Sequence, residues 1–168
     1  MDACYLSRIL VRTAALGTLE HLSLINCAII SEKAQCDSTH LLKCLSKAII
    51  ANPVEKLALG YLDLLVPDEN LLVDALKSKS TLKELELAGQ NLLSSDDLVK
   101  VVEGLKGSKL LSAISLEDVQ MDPEAIQKLT HIIKTIDLIS KVSLKHCSLP
   151  FEGHIFEDFC WACANKKS

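Results

Sequence analysis

Apolar residues fall in one frame, Leu-x-x-Leu-x-Leu-x-x-(small)-x-Leu, five times along the chain. It reads Leu19-Leu22-Leu24-Cys27-Ile29, Val54-Leu57-Leu59-Leu62-Leu64, Leu82-Leu85-Leu87-Gln90-Leu92, Leu111-Ile114-Leu116-Val119-Met121 and Ile139-Val142-Leu144-Cys147-Leu149. Counted from the first residue of each, the spacings are 35, 28, 29 and 28. Inside each frame the pattern alternates, as in Leu22-Ser23-Leu24 and Leu85-Glu86-Leu87, which predicts a short strand with one buried face. Between frames the period lengthens. Leu72, Ala75 and Leu76 share one helical face, as do Leu98, Val101, Val102 and Leu105.

The helix ends carry their own signals. Asp122-Pro123-Glu124 combines an N-cap side chain, a proline at the first helical position and an acidic first turn. Ser94-Ser95-Asp96-Asp97 offers a hydroxyl cap and acidic residues in the same way, while Asn52-Pro53 and Gly107 mark stops. A helix is predicted over Ala3 to Leu16 without a preceding strand, so residues 1–18 read as a cap or as the back half of a repeat. Another runs from Thr39 to Ala51, reached through a longer loop at residues 30–38 that accounts for the first, longer interval. Residues 151–165 predict a closing helix, leaving 151–168 as cap and tail.

A strand of three to five residues with one helix cannot cover its own apolar face. Neighbouring units must supply that cover and the strand-to-strand hydrogen bonds, so the strands stack in parallel in an α/β solenoid. Helices are wider than strands, so the stack curves with the sheet on its concave side. These frames, over about residues 19–150, resemble leucine-rich repeats of the ribonuclease-inhibitor type. The resemblance implies a right-handed horseshoe segment of about five units, each of 28–29 residues with a full helix on the convex face. In that family the ninth frame position is usually Asn or Cys. Cys27 and Cys147 match and Gln90 is tolerable, whereas Leu62 and Val119 depart, so the second and fourth turns are expected to be less regular.

Composition narrows the function. The 168 residues are 49% apolar and only 4% aromatic, so the core is aliphatic. A net charge of −4 offers no field for phosphate backbones or acidic lipids, and a nucleic-acid or membrane partner is not expected. No run approaches the roughly 18 apolar residues of a membrane span. The start, with Asp2 and with Arg8 and Arg12 breaking its apolar run, is not a secretory signal of the usual kind. Seven cysteines, an odd number mostly at positions the repeat buries, fit a reducing compartment. The expected location is cytoplasmic, or the host cytosol for a delivered bacterial effector, towards which the excess of 16 Lys over 2 Arg leans.

Candidate chemistry is sparse. Cys160-Trp161-Ala162-Cys163 is a C-x-x-C pair, but it lies late in a helix and supplies only two of the four ligands a structural zinc needs. Cys36, His40 and Cys44 have suggestive spacing and no fourth partner. No phosphate loop, nucleophile elbow or dinucleotide fingerprint occurs, and neither catalysis nor a cofactor is expected.

The informative surface is geometric. Residues between the buried leucines point into the concave face in three rows: His21, Lys56, Glu84, Ala113, Lys141; Ser23, Ala58, Glu86, Ser115, Ser143; and Ile25, Gly60, Ala88, Glu117, Lys145; just beyond lie Asn26, Tyr61, Gly89, Asp118 and His146. The middle is acidic at Glu84, Glu86, Glu117 and Asp118, and the last strand is basic at Lys141, Lys145 and His146, with Tyr61 and Ile25 as apolar anchors. A protein partner on this face is the expectation. The repeat resemblance implies a non-catalytic module, either the sensing arm of a larger protein such as a NOD-like receptor or a stand-alone adaptor or effector. Alternatives are a regulator resembling the Ran GTPase activator, a redox or zinc role for Cys160 and Cys163, and self-association through the open N-terminal end.

Overall fold

The computed structural model describes residues 3–26, 38–61, 70–89, 95–150 and 153–166. Helices and strands alternate throughout: α1 (Ala3–Leu16), β1 (His21–Ile25), α2 (Ser38–Ala51), β2 (Lys56–Gly60), α3 (Asn70–Lys77) and β3 (Glu84–Ala88). Then follow α4 (Ser95–Gly104, continued by a 3-10 turn, Leu105–Gly107), β4 (Ala113–Glu117), α5 (Pro123–Thr135), β5 (Lys141–Lys145) and α6 (Gly153–Ala164). The five strands form one parallel sheet in chain order. Each strand pairs with its sequence neighbour in one register, so that His21, Lys56, Glu84, Ala113 and Lys141 stand side by side. The expected α/β solenoid is the observed fold.

The apolar frame explains the core. Val54, Leu57, Leu59, Leu82, Leu85, Leu87, Leu111, Ile114 and Leu116 are all at most 2% exposed, covered by the helical faces of α2 to α5. The equivalent residues of the outer strands, Leu22, Val142 and Leu144, are only half-buried, because each outer strand has a paired neighbour on one side alone. Helix α1 packs against α2, and α6 against α5 through Phe159 and Ala162. Tyr5, Ile9, Val11 and Leu16 remain exposed on α1. The cap at α5 forms as its sequence predicts: the Asp122 carboxylate accepts the Ala125 N–H at 2.8 Å, with Pro123 at the first turn. Ser95 does something else, its hydroxyl accepting the N–H of Asp122 at 3.0 Å and so tying one repeat to the next. Ser94, Cys27 and Leu62, and the long loop at 30–37, lie outside the described residues.

Every strand ends the same way. Asn26, Tyr61, Gly89, Asp118 and His146 all take a left-handed backbone, with φ of 54°, 49°, 101°, 53° and 53°. The first four of these N–H groups donate across to Gly60, Ala88, Glu117 and Lys145, extending the ladder one bond past the strands. Asn, Asp, His and Gly tolerate this conformation, whereas tyrosine does so only under strain. The fourth turn matches the fifth despite Val119, which corrects the expectation of irregularity there. Val119 is buried, 2% exposed, so apolar cover replaces the two carbonyl contacts that the Cys147 thiol makes at Leu116 and Lys145.

A second ladder joins the loops that follow the helices. Asn52 is almost wholly buried, accepting the Leu19 N–H at 2.8 Å and donating to the Ala48 carbonyl at 2.7 Å. Lys79, 8% exposed, donates to the Ile50 and Asn52 carbonyls at 2.7 and 2.6 Å, a cation at the end of α2. Burial nonetheless pushes its ammonium pKa down. Ser108 in turn donates to the Lys79 carbonyl at 2.7 Å, and Lys166 closes the series on Ile136 at 2.7 Å. Asn52, Lys79 and Ser108 thus pair their buried polar groups, whereas the buried hydroxyls of Ser7 and Ser46 have no hydrogen-bond partner among the described residues.

Two stability predictions follow from this packing. A Cβ added at Gly60 would lie 2.6 Å from that of Ala88, whereas at Gly107 the nearest atom is 3.6 Å away. Gly60→Ala is therefore expected to cost about 1–3 kcal/mol in chemical denaturation by overpacking, and Gly107→Ala much less. Asn52→Ala leaves the Leu19 N–H and the Ala48 carbonyl without their partner, for an expected loss of about 1–3 kcal/mol. An unchanged denaturation midpoint in that variant would remove the loop ladder from the account of stability.

Candidate binding surface

The register turns the sequence pattern into a surface. Rows one and two stand as predicted, and over β1 to β3 they enclose an open groove of about 230 Å³ lined by His21, Ser23, Lys56, Ala58, Glu84 and Glu86 with the strand leucines beneath. Adjacent strands are about 4.8 Å apart, close enough for charged side chains on neighbouring strands to meet. They do meet. Lys56 pairs with Glu84 at 2.7 Å and Lys145 reaches Glu117 at 3.8 Å. The acidic centre and basic last strand are thus partly neutralised within the sheet, which the sequence alone does not reveal.

Row three departs from expectation. Gly60 and Ala88 are buried instead of facing a partner, because they pack closely on one another. Ile25 is half-buried. Tyr61, expected as an apolar anchor, is 38% exposed and tethered at its polar end. Its hydroxyl donates to Asp118 and lies 3.4 Å from Glu117, two repeats along the stack. The reach is possible because the intervening repeat carries Gly89, where a Cβ would sit 3.3 Å from the Tyr61 ring. The hydrogen bond to Asp118, desolvation and the adjacent negative charges push the phenol up to about 12. The one signal in the sequence was a tyrosine at a position otherwise held by Asn, Gly, Asp and His.

His21 and Lys141 are exposed at the two ends of row one, His21 lining the groove, and His146 is exposed just past β5; the cysteine candidates lie off this surface. Cys160 is exposed and Cys163 half-buried on α6, and burial, followed by the proximity of Cys160, pushes the Cys163 thiol up. A thiol activated as a nucleophile or metal ligand shows the opposite shift. Cys44 is buried with its sulfur 3.6 Å from the His40 ring, and Cys36 lies outside the described residues. Among the described residues, no group of three His, Cys, Asp or Glu is placed to hold a metal ion. Nor is any helix among them long and apolar enough to cross a membrane. A feature absent from the sequence reading is a second cavity, about 640 Å³, between α5 and α6. It is lined by Lys134, Asp137, Trp161 and Lys166, with Trp161 60% exposed and the Lys134 ammonium 5.5 Å from its ring centre and paired with Asp158.

These features define an α/β repeat solenoid that presents a five-stranded parallel sheet on its concave side. No protein-family model matches the sequence, and no curated protein is significantly similar to it. Among solved structures, the chain is similar in fold to the tropomodulin C-terminal domain of Caenorhabditis elegans, with a TM-score of 0.66 over 99% of this chain and 93% of that one at 11% identity.

The Tyr61 tether has a measurable consequence. The phenol is weakened as an acid in the folded state, so its stabilising contribution is complete below the ordinary value of 10 and is lost as the pH rises from there towards 12. Subtracting the near-ultraviolet phenolate titration of Tyr61→Phe from that of the native chain is expected to leave one transition near pH 12. A difference transition near 10 would show that the hydroxyl is not held by the two carboxylates in solution.

Proposed function

We propose that this chain is a non-catalytic protein-interaction module of the leucine-rich-repeat class, close to the ribonuclease-inhibitor type, which binds a protein partner on its concave face. The observation that carries this reading is the groove over β1 to β3, where polar and charged side chains are held in register on a rigid sheet. A curved parallel sheet presents such groups at fixed spacing with little backbone ordering cost on binding, which favours recognition of an extended partner surface. The partner-binding set comprises His21, Ser23, Ile25, Lys56, Tyr61, Glu84, Glu86, Glu117, Asp118, Lys141, Lys145 and His146. In a cell the module serves as the regulatory arm of a larger receptor or as an adaptor in the cytosol.

The test is retention of a partner from cell lysate by three proteins: the native chain, a concave variant (Glu84→Lys, Glu86→Lys, Tyr61→Ala) and a convex control (Lys43→Glu, Lys47→Glu), each with its fold checked by circular dichroism. A partner kept by the native chain and the convex control but lost by the concave variant is the expected result. Retention by the concave variant and loss by the control would move the site to the helices. Stimulated GTP hydrolysis by a small GTPase on adding the chain would instead favour the regulator reading.

A further inference from the structure

Four carboxylates stand near the middle of the concave face, and the sheet itself answers three of them. Glu84 is held by Lys56 at 2.7 Å, Glu117 by Lys145 at 3.8 Å, and Glu117 and Asp118 share the Tyr61 hydroxyl. Glu86 has no ion pair and no side-chain hydrogen bond among the described residues. The register gives the reason. Its direct neighbours are Ala58 and Ser115, which carry no charge, and the lysine diagonal to it, Lys56, is committed to Glu84. Beyond those neighbours the same row continues as Ser23 and Ser143. Row two is therefore a trough of small side chains, with one half-buried, unanswered carboxylate at its centre.

That arrangement selects what can lie in it. A partner that covers the groove takes Glu86 further out of water, and covering an unpaired carboxylate is unfavourable unless a positive group meets it. Glu84 and Glu117 are already held by Lys56 and Lys145, so Glu86 carries the unmatched charge of this region, and the concave shape keeps part of its field out of bulk water. The small residues on either side leave room for a long aliphatic stem. An anionic partner such as nucleic acid would meet the wrong sign here. We infer that the row-two trough receives a lysine or arginine side chain of a partner protein, its stem lying over the small side chain of Ala58 or of Ser115 beside Glu86 and its cationic head paired with Glu86. The inference rests on the concave-face reading above and names the chemistry of its partner.

A random peptide library displayed on phage, panned against the intact chain, tests it. The selected peptides are expected to share a lysine or arginine. Their affinity should fall about fivefold to tenfold for Glu86→Gln, the range of a partly exposed charge pair, and remain unchanged for Glu103→Gln on α4. Because Glu86 has no ion-pair or side-chain hydrogen-bond partner among the described residues, Glu86→Gln should melt at the native temperature, separating lost binding from lost folding. Ser115→Tyr, which fills the trough, distinguishes the two levels of failure. Peptides blocked by Ser115→Tyr but indifferent to Glu86→Gln would overturn the cation pairing and leave the concave site standing. Peptides indifferent to both would overturn both. Selected peptides with no shared cation, or no selection at all, would also overturn the pairing, while the lysate comparison still judges the concave face independently.

Discussion

The parallel pairing of β1 to β5 in a single unbroken register is the interaction on which everything else depends. A five-residue strand and one helix leave most of their apolar frame uncovered, so each repeat is folded only as part of the stack. Because every strand pairs with its sequence neighbour at the same offset, the leucine positions align into buried ribs and the residues between them align into rows. Shifting one strand by a single residue would exchange those faces. The left-handed residue closing each of the first four strands extends the same ladder by one further hydrogen bond.

Once the rows exist, the concave face becomes a set of short-range encounters between repeats. Lys56 finds Glu84, Lys145 finds Glu117, and Tyr61 crosses the third repeat because Gly89 presents no side chain to block it. These contacts use up much of the charge that the sequence suggested was offered to a partner. What they leave is selective: a groove over the first three strands and one central carboxylate among small residues. In the loops that follow the helices, Asn52 accepts from Leu19 of the preceding repeat, Lys79 donates to carbonyls at the end of α2, and Ser108 donates to the Lys79 carbonyl, so successive loops are joined to one another.

The apolar frame made all five strands legible, and the period change between frames located the helices. Asp122-Pro123 was legible as a cap because capping is local, settled within four residues. The closing of row three at Gly60 and Ala88 was not legible, nor was the reach of Tyr61 to Asp118, because both depend on residues 28 and 57 positions away in the chain. Lys79 was likewise hidden. A lysine in a polar loop reads as solvated until the carbonyls of the preceding repeat are placed around it.

The amino-acid sequence by itself determined the architecture, because burial in a repeat solenoid is periodic and any aliphatic residue at the right spacing satisfies it. It also placed the first two rows between the buried leucines, since alternation in a strand leaves those positions no other side, but it did not foresee that Gly60 and Ala88 would close row three. Tertiary structure alone decided which of those residues answer one another and which are left for a partner. Ion pairs and hydrogen bonds act over a few ångströms, and only the stacked register brings side chains from different repeats within that range.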